Sequence, residues 1–264
     1  MSEETIVRSS TSVRSSRRPT GGIARLHPLG TAPSAPVRVD PRRQEVWELL
    51  GLLPEAGAAT VERRYAGGEV IFDEGDPDNA LYVLTEGVVK LSRSYPDGKE
   101  ATLMLLGPWE AFGELSFGRR AYQYARAEAM TACRLRKVPR VFVERAVKMH
   151  PEVALKVVDL LRLELERHRE MARCLRPYKV EAKLAILLPI LARKFGGEEE
   201  GRLVIRLRLT QEELSKMISS TREAITLALS NLRRRGVLAV TDERLIILDP
   251  ASLALVAGKW EGGL

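Results

Sequence analysis

Thr210–Leu232, TQEELSKMISSTREAITLALSNL, contains two helix-start signals only ten residues apart. Thr210 with Glu213, and Ser220 with Glu223, have the spacing of a capping box, in which a hydroxyl and a glutamate satisfy backbone N–H groups reciprocally. Apolar residues follow each start at helical spacing. They are Leu214, Met217 and Ile218 in the first helix and Ile225, Ala228, Leu229 and Leu232 in the second. The stretch is therefore predicted to form a helix-turn-helix.

The opposite face of the second predicted helix is free to enter the major groove of DNA. The planar fork of Arg222 matches guanine O6 and N7. Glu223 can accept from a cytosine amino group; capping competes for the same carboxylate, but the two roles need not exclude each other. Thr226 and Leu227 are candidates for contact with a thymine methyl or a phosphate. Candidate phosphate contacts lie near the two helix starts. They are Thr210, Gln211, Ser219, Ser220 and Thr221. The alternative is an ordinary helical hairpin whose polar face is merely solvated.

The flanks of this stretch are rich in β-forming residues. Arg202–Leu209 is an alternating run upstream, and Val237–Val240 and Leu245–Leu248 are two short runs downstream, joined by Thr241–Arg244. A hairpin after the second helix is a wing, so the module is predicted to be a winged helix-turn-helix. The run Arg233–Arg235 is expected to complement the dipole at a helix C-terminus rather than to read bases.

The net charge of +7 over 264 residues is unevenly distributed. Residues 1–39 carry six arginines against two glutamates, and residues 177–264 carry 14 basic against 11 acidic residues. A basic C-terminal module suits a polyanionic partner. The first segment is rich in Ser, Arg and Pro and is predicted to be a disordered basic tail. No apolar run approaches the ~20 residues that span a bilayer, and no signal peptide is evident, so we expect a cytoplasmic protein.

The sequence gives no indication of catalysis. Cys133 and Cys174 are far apart and have no metal-ligand spacing, so we expect no metal site. No nucleophile–base set and no phosphate-binding loop is evident. We therefore expect a protein that is not an enzyme.

Short β runs separated by turn residues occupy the region from Val61 to Val138, after a short predicted helix at Asp40–Leu53. The predicted strands are Glu69–Phe72, Leu81–Leu84, Val88–Ser92, Thr102–Leu106 and Ala132–Val138. Strands at this spacing predict an antiparallel sandwich or barrel.

A long helix is predicted at Pro151–Leu175, and its apolar residues alternate at spacings of four and three. These residues, which we call the seam, are Ala154, Val158, Leu161, Leu165, His168, Ala172 and Leu175. Such a pattern predicts a parallel coiled coil with a second copy, and hence a homodimer. The alternative is one amphipathic helix buried within a monomer. A second apolar line, Val147, Val153, Val157 and Leu160, is predicted to pack on the β region.

The chain after this helix is predicted to bend and then to form a second apolar helix. Arg176-Pro177 is a predicted hinge, Val180–Phe195 is the helix, and Phe195–Gly201 is a predicted loop.

Three pieces of sequence together resemble a known family. Gly68-Glu69-Val70-Ile71-Phe72 with Glu74-Gly75-Asp76, then Leu81–Lys90, then Phe112-Gly113-Glu114-Leu115-Ser116, resemble a cyclic-nucleotide-binding β-roll. Followed by a long helix and a helix-turn-helix, this order resembles the Crp/Fnr family of bacterial transcription regulators.

The resemblance implies an α+β fold: an antiparallel β-roll of the double-stranded β-helix or jelly-roll type, a long dimerisation helix and a C-terminal winged helix-turn-helix. The expected domains are a basic tail at 1–39, a sensor β-roll at 40–150, the dimerisation helix at 151–176 and the DNA-binding domain at 177–258.

The resemblance also implies the function of a sequence-specific transcription regulator. It would bind double-stranded DNA as a homodimer on a palindromic operator and contact RNA polymerase. Arg222 and Glu223 match the pair with which many family members read G·C pairs, whereas Leu227 replaces a common arginine. The alternative is a regulatory subunit of an enzyme or transporter, but such subunits lack a helix-turn-helix.

The effector pocket departs from the cyclic-nucleotide pattern. Gly113, Glu114, Leu115 and Ser116 match the segment whose glutamate takes the ribose hydroxyl. Gln123 and Tyr124 stand where an arginine and a serine hold the cyclic phosphate, and His168 and Arg169 replace hydroxyl residues on the long helix. A neutral glutamine supplies no charge-assisted fork for a phosphate, which argues against cyclic AMP. Arg126 and Arg169 would favour an anionic metabolite such as a dicarboxylate; the alternative is that no ligand binds.

Overall fold

The computed structural model describes residues 60–77, 80–114, 122–177, 179–241 and 244–258. The predicted basic tail at 1–39 and the predicted helix at Asp40–Leu53 lie outside the described residues. None of the helices in the described part has the length and apolar character needed to cross a membrane.

Two antiparallel four-stranded sheets form the N-terminal half of the described chain, with orders β1-β8-β3-β6 and β2-β7-β4-β5. The strands are β1 (Val61–Tyr65), β2 (Val70–Phe72), β3 (Ala80–Glu86), β4 (Val89–Ser94), β5 (Glu100–Leu106), β6 (Ala111–Phe112), β7 (Arg126–Ala129) and β8 (Cys133–Pro139). Each of the five predicted strands is present, and the predicted β-roll is confirmed. β1, β6 and β7 were not predicted, because they are very short or rich in charged and small residues.

The apolar faces of these strands enclose a core with three aromatic rings at its centre. The ring centroids of Phe72, Tyr82 and Phe112 are 5.2 to 5.9 Å apart. Leu84, Leu106 and Leu135 are buried around them. This alternation of inward apolar and outward polar side chains is what a half-buried strand requires.

Two helices follow the β-roll: α1 (Arg140–Met149), which was not predicted, and α2 (Pro151–Leu175), which has the predicted bounds. Pro151 occupies the first turn of α2, where its missing N–H costs nothing. Val153 is fully buried against strand residues, and Val147, Val157 and Leu160 pack beside it. The predicted packing of this second apolar line on the β-roll is therefore confirmed.

The remaining elements, which we call the reading head, are built around α3 (Val180–Phe195). They are β9 (Gly196–Glu199), β10 (Arg202–Ile205), α4 (Gln211–Met217), α5 (Arg222–Arg234), β11 (Leu238–Thr241), β12 (Arg244–Ile247) and α6 (Pro250–Gly258). The four strands form one sheet of order β11-β12-β10-β9. The predicted apolar faces of α4 and α5 are buried together with Leu184, Leu187, Leu188 and Leu191 of α3.

The predicted loop at Phe195–Gly201 is wrong, because β9 pairs with β10 in a tight hairpin. Glu200 and Gly201 connect the two strands, and both have positive φ, 51° and 74°. Two consecutive left-handed residues form the turn whose twist matches antiparallel strands. Gly196 and Gly197 lack the apolar alternation that marks a strand in sequence, which is why the pattern did not reveal β9.

Candidate nucleic-acid interface and effector pocket

The first helix of the predicted reading motif begins with the expected capping box. The backbone N–H of Glu213 donates to Thr210 Oγ1 at 3.1 Å, and the backbone N–H of Thr210 donates to Glu213 Oε2 at 2.6 Å. These two bonds satisfy two backbone donors that would otherwise be unpaired at the helix start.

The predicted capping box at Ser220 and Glu223 is wrong, because the helix start is displaced by one residue. Thr221 is the N-cap of α5, and its hydroxyl accepts from the backbone N–H of Ala224 at 3.2 Å. The amide of Ser220 instead donates to the carbonyl of Ser215 at 3.0 Å, closing the end of α4. Ser219 occupies the left-handed region with φ of 49°, as this type of helix end requires.

α5 turns one side to solvent and buries the other. Arg222, Glu223, Thr226 and Leu227, which we call the reading face, are all exposed. Ile225, Ala228, Leu229 and Leu232 are buried on the opposite side. Leu227 is 62% exposed, so its apolar side chain is available for contact with another molecule.

The candidate phosphate contacts lie around the N-terminal ends of α4 and α5. Thr210, Ser219 and Thr221 are exposed, and Gln211 and Ser220 are half-buried. The two helix starts and the turn therefore present hydroxyl groups beside the reading face. Gln211 also lies within hydrogen-bond distance of Thr226 on α5, so the two groups of candidates are in direct contact.

The seam of α2 lies on the side of the helix that faces away from the β-roll. Val158 is 60% exposed, and Leu161, Leu165 and Leu175 are also exposed. His168 and Ala172 are exposed between them, and Nδ1 of His168 lies 2.8 Å from the carbonyl oxygen of Glu164. An apolar stripe of this length is typical of a surface that another helix covers.

In the candidate effector pocket, Gly113 has a structural reason to be glycine. Its φ is 100°, and an added Cβ would lie 2.6 Å from the carbonyl oxygen of Ala80. Glu114 beside it is half-buried, and burial, together with the charge of Glu164 on α2, raises the pKa of its carboxyl. Leu115 and Ser116 lie outside the described residues.

The two residues at the positions of the family's arginine and serine face inward. Gln123 is 2% exposed, and its Oε1 accepts from the backbone N–H of Glu114 at 3.3 Å. Burial raises the pKa of Tyr124 to about 12, with further contributions from Glu164 and Glu114. Two carboxylates, those of Glu114 and Glu164, therefore act on Tyr124.

Two arginines and one histidine were also assigned to this pocket from sequence. Nη1 of Arg126 lies 2.5 Å from Asp73 Oδ1, and its Nε lies 3.7 Å from Glu128. His168 and Arg169 are on the exposed side of α2.

Sequence reasoning missed Arg167, which is the buried cation of α2. It lies four residues after Leu163 and seven before Cys174, both of which are buried on the same face. This helical spacing could have revealed its position, but an arginine on an apolar face is normally expected to extend to solvent.

Two protein families match the two halves of the described chain. The cyclic nucleotide-binding domain family matches residues 62–150, and the Crp-like helix-turn-helix domain family matches residues 182–256. Both matches fall where the β-roll and the reading head lie in the structure.

Similar proteins match most of the chain. The global nitrogen regulator of Synechococcus elongatus is 31% identical over 211 residues, which is 78% of this chain and 95% of that protein. The CRP-like cAMP-activated global transcriptional regulator of Mycobacterium tuberculosis is 30% identical over 77% of this chain and 93% of that protein. A CRP-family transcriptional regulator of Thermus thermophilus superposes with a TM-score of 0.64 and 29% identity, covering 74% of this chain and 96% of that one. The chain therefore belongs to the Crp/Fnr family of transcription regulators.

Proposed function

We propose that this transcription regulator acts as a homodimer that places the two copies of α5 in successive major grooves of an inverted-repeat operator. The observation that carries the proposal is the exposed reading face of α5, set beside hydroxyl groups from two helix starts. Two-fold symmetry in the protein would match two-fold symmetry in the operator.

Arg222 is the proposed base-reading residue with the strongest chemical preference. It is exposed in the first turn of α5, where its guanidinium can pair with guanine O6 and N7. Thr221 caps the helix, so the capping competition foreseen for the Glu223 carboxylate does not arise from Ser220. Glu223 is therefore proposed to accept from a cytosine amino group, with Thr226 and Leu227 contacting the neighbouring base pair.

The proposed phosphate contacts are Thr210, Gln211, Ser219, Ser220 and Thr221. They surround the reading face on α4, the turn and the start of α5. Contacts of this kind position the helix in the groove without reading the base sequence.

The proposed dimer is supported by the exposed seam on α2. Four large apolar side chains of the seam would be buried against a second copy. Each side chain that becomes fully buried contributes about 1.5 to 3 kcal/mol to the free energy of dimerisation. The alternative of a monomer with α2 buried on all sides is not favoured, because Val158, Leu161 and Leu165 are exposed in the isolated chain.

The effector of this protein is proposed from its pocket residues rather than from the names of its relatives. One relative bears a name that specifies activation by cAMP, and another is named as a nitrogen regulator. In this chain Gln123 is folded onto the backbone of Glu114, and no arginine occupies its position. We propose that the protein binds its operator without cyclic AMP, and that a ligand, if one binds, is a different anion.

The remaining functional assignments follow the family. We propose a cytoplasmic protein that contacts RNA polymerase, with a sensor domain at 40–150, a dimerisation helix at 151–176 and a DNA-binding domain at 177–258. The alternative of an enzyme or transporter subunit is not favoured, because the relatives that span both halves are transcription regulators.

Selection of the preferred duplex from a random library, followed by fluorescence anisotropy, tests the proposal. We expect an inverted repeat to be selected and bound by two chains without added nucleotide. Light scattering of the free protein should give the mass of a dimer. A monomeric protein that binds the selected and scrambled duplexes equally would refute the proposal, and a strict requirement for cyclic AMP would refute the effector assignment.

A further inference from the structure

A buried carboxylate joins three parts of the molecule. Glu110, in the loop between β5 and β6, is 7% exposed. Its Oε1 lies 3.1 Å from Nη1 of Arg167 on α2, and its Oε2 lies 2.7 Å from Nζ of Lys194 on α3. The backbone N–H of Gly107 also donates to Oε2 at 2.6 Å. We call Glu110, Arg167 and Lys194 the Glu110 junction.

The carboxyl group of Glu110 is held in its ionised form by the two cations of the junction. Burial by itself would raise the pKa of Glu110, but Lys194 and Arg167 outweigh it and hold the pKa below its ordinary value. A buried ion pair of this kind is weak evidence for stability, because desolvation offsets much of the attraction. The junction instead favours one orientation of α2 and α3 relative to the loop, because separating these parts would leave a buried charge without its partner.

A second ion pair connects β5, the strand before the Glu110 loop, to the helix-turn-helix. Nζ of Lys216, on α4, lies 3.0 Å from Oε2 of Glu100, the first residue of β5. Leu105, on the same strand, belongs to the apolar core of the reading head. Gly107 approaches the reading head so closely that an added Cβ would lie 3.3 Å from the ring of Phe195. β5 and the loop after it thus form a continuous contact with α3 and α4.

The loop that carries Glu110 is conformationally strained. Trp109, immediately before it, has φ of 68°, in a region that a bulky residue rarely adopts. Its backbone N–H donates to the carbonyl of Leu84 at 2.6 Å, which holds the loop against β3. Strain of this kind persists only when surrounding contacts enforce it, and it is common where a protein has two alternative arrangements.

Arg167 connects the junction to the candidate effector pocket. Besides its contact with Glu110, its charge acts on Tyr124, which lies in the field of Glu114 and Glu164. Its Nε is buried and has no hydrogen-bond partner among the described residues. The side chain that holds Glu110 therefore also lies within electrostatic range of Tyr124.

We propose that the Glu110 junction and the Lys216–Glu100 pair are the contact through which the β-roll holds the reading head in its DNA-binding orientation. The reading face remains exposed while both contacts are formed, so this arrangement leaves α5 available to DNA. Without these contacts the reading head would take several orientations relative to the β-roll, and DNA binding would have to select one of them. This cost lowers the affinity for an operator that requires two heads at a fixed spacing. This inference rests on the proposed dimeric function.

The test compares Glu110→Gln and Lys194→Met with the unchanged protein on the selected operator and on scrambled duplex. The two substitutions change the net charge in opposite directions. If they acted through the general charge of the protein, they would move the affinity for DNA in opposite directions. We expect both to weaken operator binding about tenfold and to leave the affinity for scrambled duplex changed only by the charge effect.

Glu74→Gln is the matched control, because Glu74 pairs with Arg93 at 2.9 Å on the surface of the β-roll. It makes the same chemical change as Glu110→Gln without touching the reading head, and it should leave operator affinity unchanged. Hydrogen exchange of α3 and α4 should accelerate in both junction variants and remain unchanged in the control.

Glu100→Gln and Lys216→Met test the same contact at its more exposed end, and decide the matter if the buried substitutions prevent folding. Each substitution should weaken operator binding. The double variant should bind the operator as tightly as either single variant, because both substitutions remove the same ion pair. Operator affinity and hydrogen exchange equal to those of the unchanged protein in all the folded variants would overturn the inference. Failure of the unchanged protein to prefer any inverted repeat would instead refute the proposed function.

Discussion

The hydroxyl of Thr226 on α5 lies 2.5 Å from Oε1 of Gln211 at the start of α4. The same hydroxyl lies 2.8 Å from the carbonyl oxygen of Arg222, one helical turn earlier. A hydroxyl has a single proton, so these two acceptors compete for it. A hydrogen bond across the helix-turn-helix therefore joins Thr226, a candidate base contact, to Gln211, a candidate phosphate contact.

This connection predicts that Gln211→Ala and Thr226→Val are not additive. Each substitution removes one end of the same hydrogen bond, so the double variant should lose less operator affinity than the sum of the single losses. We expect a coupling of about 0.5 to 1 kcal/mol in a double-mutant cycle measured by fluorescence anisotropy. Strict additivity would show that the two side chains act on DNA independently.

Replacement of Arg222 by alanine should weaken operator binding by about 1 to 3 kcal/mol and relax the preference at one base pair. Arg222→Lys keeps the charge but loses the planar fork, so it should restore phosphate attraction without restoring base preference. Binding to a set of single-base operator variants measures this. An equal loss on operator and random duplex would contradict base reading by Arg222.

The seam predicts a variant that is folded but monomeric. Leu161→Lys places a charge in the middle of the exposed apolar stripe, where it would be buried without a partner in a coiled coil. Light scattering should give half the mass of the unchanged protein, with unchanged circular dichroism. Val141→Lys, at an exposed apolar position on α1, is the control and should remain dimeric. A dimeric Leu161→Lys protein would place the interface elsewhere.

Ser219 separates the stability of the turn from contact with DNA. Its φ of 49° favours glycine, so Ser219→Gly should raise the free energy of unfolding by up to about 1 kcal/mol. Ser219→Ala keeps the strain but removes the hydroxyl. If the hydroxyl contacts a phosphate, both variants should bind DNA more weakly although their stabilities differ. Thermal unfolding and anisotropy on the same preparations measure the two effects.

The buried Glu110 predicts a pH dependence of stability. Its pKa is below the ordinary glutamate value of about 4.3 in the folded protein, so the unfolded chain binds the proton more readily. The stabilisation is fully present above that ordinary pKa and is lost as the pH falls through the lowered one. Glu110→Gln should therefore show a smaller fall in urea midpoint between neutral and acidic pH than the unchanged protein. Equal slopes would indicate that Glu110 does not titrate in this way.

Periodicity and capping chemistry were sufficient for the elements that are locally coded. The bounds of α2 and α3 agree with the predicted helices, because a long apolar face and the proline at the start of α2 specify them within the sequence. The Thr210–Glu213 box also formed as predicted, since both partners belong to one helical turn. The Ser220–Glu223 box did not, because the end of α4 uses the amide of Ser220.

What the amino-acid sequence determined by itself was the family, the order of β-roll, long helix and helix-turn-helix, and the exposed face of α5, because each depends on motifs whose residues lie close together along the chain. The tertiary structure alone decided that Arg167 rather than Arg169 faces the β-roll, that Arg126 pairs with Asp73, and that Glu110 meets Lys194. These relationships join residues far apart in the sequence. They depend on how two sheets, a helix and the reading head pack, and no local period or motif specifies that packing.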